Sequence, residues 1–230
     1  MRAFLLASGV ASLLLAAHVS AGTPQLETYP EIDEANATPV LVIARVSPGK
    51  MLPEFAECNT PLVICLHSPL WFRARVLRSI YGVAPDSALE VATTSHYGMR
   101  AYEHSSSPRL ILLLVEGDKV IMPTYSEMDL TSRDDGELFL VPALGESPHW
   151  LPCSISSLRE EISPEGFSTL RGIRADDYEW TYVNETPELF SIVRDVAYPR
   201  YGISVSSLEA HLEEIMPDAK AFRCEKEDGT

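Results

Sequence analysis

His96, Glu103 and His104 stand close enough along the chain for one loop to gather two imidazoles and a carboxylate, with Tyr97 beside them. Such a set could move protons near neutral pH, because histidine titrates there and a carboxylate neighbour tunes it. These three residues would support a hydrolase with a non-standard site. The plainer reading is a structured loop whose side chains bond the local backbone. His67, His149 and His211 add no His-x-His or His-Glu-x-x-His array. Gly-x-Ser-x-Gly, Ser-x-x-Lys, a phosphate-loop lysine and Gly-x-Gly-x-x-Gly are all absent, so neither a familiar nucleophile nor a nucleotide has support. Catalytic, metal and cofactor residues are therefore expected to be none, with His96, Glu103 and His104 as the alternative. Asp134-Asp135 and Asp176-Asp177 read as charged turns, and Ser105-Ser106-Ser107 as a loop.

The four cysteines, Cys58, Cys65, Cys153 and Cys224, carry chemistry only once their compartment is known. Arg2 precedes an apolar run from Ala3 to Ala17, the length of a signal-peptide core and too short to span a bilayer. Val19-Ser20-Ala21 offers the small residues that a signal peptidase requires, so cleavage is expected after Ala21. The expected location is periplasmic or extracellular. There the cysteines read as two bridges, Cys58 to Cys65 and Cys153 to Cys224. The wider spacing of Cys58 and Cys65 does not suit a Cys-x2-Cys zinc knuckle. Asn36-Ala37-Thr38 and Asn184-Glu185-Thr186 would be glycan acceptors in a eukaryotic secretory route.

Of the elements that would hold these residues, 1–21 reads as signal peptide and 22–38 as a tail with prolines and acids. Residues 39–150 read as a β-rich domain of short aliphatic runs broken by Pro, Gly, Asp and Ser. Five strands are expected: Val40 to Val46, Trp71 to Tyr81, Ala88 to Thr94, Arg109 to Val115 and Glu137 to Val141. Lys119 to Met122 could pair with the fourth through the turn Glu116-Gly117-Asp118. Phe72, Ala74 and Val76 alternate with Arg73 and Arg75 until Leu77 breaks the phase, which predicts a bulge or bend. Residues 151–230 read as a helical segment, joined through His149-Trp150-Leu151-Pro152-Cys153-Ser154, which reads as a structural seam. Helices are expected at Leu158 to Ile162, Pro187 to Ala197 and Ser207 to Met216. Ser157 with Glu160 and Ser206 with Glu209 would form capping boxes. The apolar stripe Leu189, Ile192, Val193 and Val196 is expected to pack the second helix.

The run from Phe72 to Gly82, followed by Leu89-Glu90-Val91-Ala92-Thr93-Thr94, resembles the second and third strands of netrin-like or tissue-inhibitor-like OB-fold domains. With Pro39 to Val46 as the first strand, the resemblance covers roughly 50 residues. It implies an α+β protein with a five-stranded OB-like barrel and the helical segment packed on it. Inhibitory members of that family begin the mature chain with cysteine, whereas Gly22 would stand here, so protease inhibition is not carried over.

With 33 acidic and 18 basic side chains the formal charge is −15, and loss of Arg2 makes it −16. Such a charge repels phosphate backbones and anionic lipid surfaces, so no nucleic-acid partner and no stable membrane insertion are expected. The expected function is non-catalytic binding of another protein, with a basic partner suited to the charge, as an inhibitor or immunity-type protein would bind. N-terminal sequencing of the exported protein should begin at Gly22, and thiol counting after denaturation without reductant should find none free. An intact Met1, or two reactive thiols, would refute the respective expectation.

Overall fold

The computed structural model describes residues 27–53, 55, 68–95, 107–142, 148–167 and 169–215. The expected signal segment, the proposed catalytic trio His96, Glu103 and His104, and Cys58, Cys65 and Cys224 lie outside these residues.

Strands β1 (Thr38–Val46), β2 (Lys50–Met51), β3 (Ser68–Tyr81), β4 (Ala88–Ser95), β5 (Arg109–Glu116) and β6 (Lys119–Ile121) open the fold. They are followed by β7 (Glu127–Ser132) and β8 (Leu138–Leu140). β1 pairs antiparallel with both β3 and β5, β3 with β4, and β5 with β6. A short parallel contact between β4 and β6, Ala92 opposite Ile121, closes a mixed barrel of five strands. Met122 N–H donates to the Ala92 carbonyl at 2.8 Å, and the buried Thr93 hydroxyl donates to the Met122 carbonyl at 2.8 Å, which strengthens that narrow seam. The β5–β6 hairpin turns at Gly117, whose φ of 64° suits a residue without Cβ.

Alternation explains why β1 and β5 are so uniformly apolar. Val40, Val42 and Ala44 point into the barrel with Phe72, Leu70, Val91, Ile111 and Leu113. Their neighbours Leu41 and Ile43, with Leu110 and Leu112, form the floor of a second core outside the barrel. Successive side chains of a strand face opposite ways, so a strand buried on both faces reads as a continuous apolar run.

A cap covers that second core. Pro148 and Trp150 lead into a 3-10 turn at Cys153–Leu158, then β9 (Glu160–Glu161). After β10 (Ile173–Arg174), α1 (Trp180–Glu185), β11 (Phe190–Val193), β12 (Val196–Pro199) and β13 (Tyr201–Ser204), the chain ends its described course in α2 (Val205–Ile215). Trp150, Leu151, Ile155, Ile203, Leu208 and Leu212 pack onto the β1–β5 floor. β10, β12 and β11 form a separate three-stranded sheet with its own small core of Val183, Phe190 and Ala197. No described helix is long and apolar enough to cross a membrane.

Three sequence expectations are corrected here. The fifth barrel strand is β6, since β8 pairs with β7 and β13 beyond the barrel. The expected helix Pro187 to Ala197 is the β11–β12 hairpin, because Arg194 and Asp195 both take positive φ, 51° and 63°, as a two-residue hairpin turn demands. The expected helix Leu158 to Ile162 is the end of the 3-10 turn followed by β9, so the described part of the segment after residue 150 mixes short strands with helix. The last expected helix is present from Val205, and Ser204, one turn ahead of Ser207, caps it through a 3.1 Å bond from Ser207 N–H. The break of phase expected at Leu77 coincides with a register shift, Ile43 lying opposite Arg78 and Ala44 opposite Val76.

Phe72 is completely buried inside the barrel. Phe72→Ala should lower the unfolding free energy by about 3–5 kcal/mol, while the exposed Ile192→Ala should change it by less than about 0.5 kcal/mol. Urea unfolding of both variants measures this; equal effects would refute the assignment of the core.

Candidate functional site

Where does the fold leave groups it does not need for itself? The three-stranded sheet is one such place. Its tip carries two turns side by side, Ala175 to Glu179 and Arg194-Asp195, joined by the Ala175 N–H bond to the Asp195 carbonyl at 3.1 Å. Arg174 N–H donates to Asp177 at 2.8 Å, and Arg174 Nε lies 3.3 Å from Asp176. These bonds fix the first turn and leave Tyr178 standing out, 92% exposed.

β11 is an edge strand of that sheet. Val193 and Val196 flank the two-residue turn, and the alternation of an antiparallel ladder then directs the Ile192 amide and carbonyl away from β12. Ile192 is 57% and Val193 37% exposed, unusual for β-branched residues in a sheet. Alongside runs an open groove of about 470 Å³ whose other wall is Glu161, Ile162, Ser163, Pro164 and Glu165. The Ser163 hydroxyl donates to the Glu165 carboxylate and holds its pKa below the ordinary glutamate range. Glu161 accepts from Arg200 Nε at 2.8 Å. Edge backbone, apolar side chains and a rim of Asp176, Asp177, Glu179, Asp195 and Glu165 thus share one end of the molecule.

A smaller depression of about 180 Å³ adjoins the groove across Glu161, Ile162 and Ser163, and is bounded by Arg133 and Phe167. Arg133 lies over Phe139, 4.8 Å from guanidinium carbon to ring centre, and Phe139 meets Phe167 edge to face at 5.1 Å. Asp135 clamps Arg133, accepting from Nε at 3.0 Å and Nη2 at 2.7 Å, and accepts from Glu137 N–H at 3.1 Å.

Of the residues singled out by sequence, Cys153 is disulfide-bonded, and its partner lies outside the described residues. Asp134-Asp135 and Asp176-Asp177 do occupy turns. No group of His, Cys, Asp or Glu among the described residues is arranged to hold a metal ion. One pairing escaped the sequence reading: His211 Nε2 of α2 lies 2.9 Å from the exposed Ser154 hydroxyl. A Ser–His hydrogen bond is the start of an acyl-transfer site, but among the described residues no carboxylate bonds the other ring nitrogen to orient it. It fastens α2 to the Cys153–Leu158 turn. The residues are 57 positions apart, so only the tertiary fold reveals the contact.

No known protein family, curated protein or solved structure matches this chain.

The Arg133 hydrogen bonds, followed by the Glu137 amide, depress the Asp135 pKa. A carboxylate with a folded value below its unfolded one stabilises the fold above the usual aspartate range, and that contribution fades as pH falls through the folded value. The melting-temperature gap between the protein and Asp135→Asn should therefore be widest above about pH 5 and narrow as pH falls below the ordinary aspartate range. A gap constant across that range would count against the clamp.

Proposed function

We propose that this chain is an exported, disulfide-bearing protein that binds another protein and catalyses no reaction. The observation that carries the reading is the edge of β11, where outward backbone and the exposed Ile192 and Val193 lie next to an acidic sheet tip that also carries the exposed Tyr178. Large exposed aromatic and aliphatic side chains bounded by polar groups are what a protein interface buries, and an open edge offers main-chain hydrogen bonds to an extended segment. The acids favour a basic partner. An inhibitor or immunity-type protein works in this way, by occupying its partner's surface.

The barrel is read as OB-like, of the netrin-like or tissue-inhibitor-like type. Support comes from the closure of β1 onto both neighbours and the single parallel contact between the third and last barrel strands. The bridges are read as Cys58–Cys65 and Cys153–Cys224, which would suit a periplasmic or extracellular life after loss of residues 1–21.

The test is capture from the exported fraction with the mature chain as bait, followed by kinetics on the captured partner. Tyr178→Ala and Ile192→Ala should each weaken binding about tenfold without moving the melting temperature. Association should slow as salt rises, because exposed charges are screened over a Debye length of about 8 Å at physiological ionic strength. A captured substrate turned over in a manner abolished by His96→Ala or His104→Ala, with both tip variants silent, would replace this reading by the hydrolase.

A further inference from the structure

The outer face of β1, β2 and β3 reverses the sign of the chain. These strands carry Arg45, Lys50, Arg73, Arg75 and Arg78 and no Asp or Glu, in a protein with 33 acids and 18 bases. The placement follows from the barrel: Phe72 and Ala74 fill its interior, so Trp71, Arg73 and Arg75 must point out. Register then sets Arg45 directly opposite Arg75, and Lys50 opposite Trp71.

Like charges in direct cross-strand pairing destabilise a sheet. Arg78 is neutralised by Glu209 of α2, and Arg73 has Glu90 at 3.5 Å. Arg45, Lys50 and Arg75 are exposed and have no ion-pair partner among the described residues, although the chain has acids to spare. A second observation sits among them. Trp71 is only 4% exposed, with Lys50 Nζ 5.3 Å and Arg73 Cζ 5.9 Å from its ring centre, and its Nε1–H has no acceptor among the described residues. A buried donor left without an acceptor is a cost that folded proteins rarely carry. Guanidinium groups without an ion pair and an indole N–H without an acceptor among the described residues call for the same thing, an oxyanion.

We infer that this face binds a short acidic stretch of a partner protein, with Asp or Glu carboxylates pairing to Arg45, Arg75 and Lys50. Guanidinium groups present a planar fork matched to carboxylates. From Trp71 to Arg75 β3 advances about 14 Å, which accommodates an extended segment of about four residues. A long polyanion fits less well, because beyond this patch it would run over a surface of net charge −15. The inference does not rest on the β11 edge.

A fluorescein-labelled hexaglutamate peptide and a size-matched heparin oligosaccharide, titrated into the full mature chain by anisotropy, make the test. The peptide should bind, and more weakly as salt rises. The Arg45→Gln/Arg75→Gln double variant should lose at least about tenfold in affinity, and Trp71→Phe about two- to fivefold, while Arg171→Gln, exposed in the loop before β10, should lose less than about twofold. Because the Arg45–Arg75 pair is repulsive, the double variant should also melt about 1–3 °C higher than the protein itself. No saturable binding at millimolar peptide, equal losses in Arg171→Gln, or a lower melting temperature for the double variant would overturn the inference. So would tighter binding of the oligosaccharide than of the peptide, which would give the face to a sulfated glycan.

Discussion

Everything in this fold is organised by one strand that has no face left for water. Between Val40 and Ala44 every β1 side chain is buried, the even positions inside the barrel and the odd ones beneath the cap. β1 also spends both of its edges, on β3 and on β5, so it closes the barrel while serving two cores. A substitution there is felt in both hydrophobic clusters. The barrel interior alone would leave Leu41, Ile43, Leu110 and Leu112 as an apolar patch on an outer wall, and the cap exists to cover it.

The boundary of the cap then decides where the surface changes character. Leu41, Ile43 and Arg45 follow one another on the same face of β1, the first two buried and the third exposed. Across the strand pair, Tyr81 and Arg78 lie opposite the covered residues and Arg75 opposite Arg45. The ion pair between Arg78 and Glu209 of α2 lies at this change of surface. On one side of it the outer wall is a core; on the other it is a row of cations. The buried Arg109 illustrates the opposite treatment of charge: Glu127 accepts from it at 2.6 Å and Asp129 lies 2.8 Å from its Nε, off the N–H axis. Burial without partners would have made that guanidinium intolerable.

How much of this can be read from the sequence follows from which patterns have a single structural solution. Alternation around Phe72 admits only a strand, and its break at Leu77 admits only an irregularity, so β1, β3, β4 and β5 were legible along with the Gly117 turn. The stripe Leu189, Ile192, Val193, Val196 has two solutions. Its spacing suits a helix, yet Ile and Val also favour strands, and the choice is made at Arg194 and Asp195, of which only Asp belongs to the residues that readily take positive φ. β6 was seen as a partner of β5 but not as the strand that closes the barrel, because closure depends on one parallel contact with β4, 29 residues distant. The candidate surfaces were illegible for the same reason. The Tyr178 turn comes beside the Arg194-Asp195 turn, and Arg45 opposite Arg75, only after the sheets have set their registers.

The two surfaces also differ in what stability asks of them, which makes them separable. Hydrophobic burial in the two main clusters is complete without Tyr178, Ile192, Arg45 or Arg75. A chain optimised for stability alone would place polar residues at the first two positions and an acid opposite one of the arginines, since single surface charges and exposed aliphatics cost little to exchange. Apolar groups at an open strand edge, and facing cations without counterions among the described residues, are departures from local optimum at two places that share no strand. Departures of that kind collect where a protein meets something else. Because neither site supports a core, changes at the small sheet and at the β1–β3 face should combine additively in stability, and each can be altered while the barrel and its cap keep the other in place.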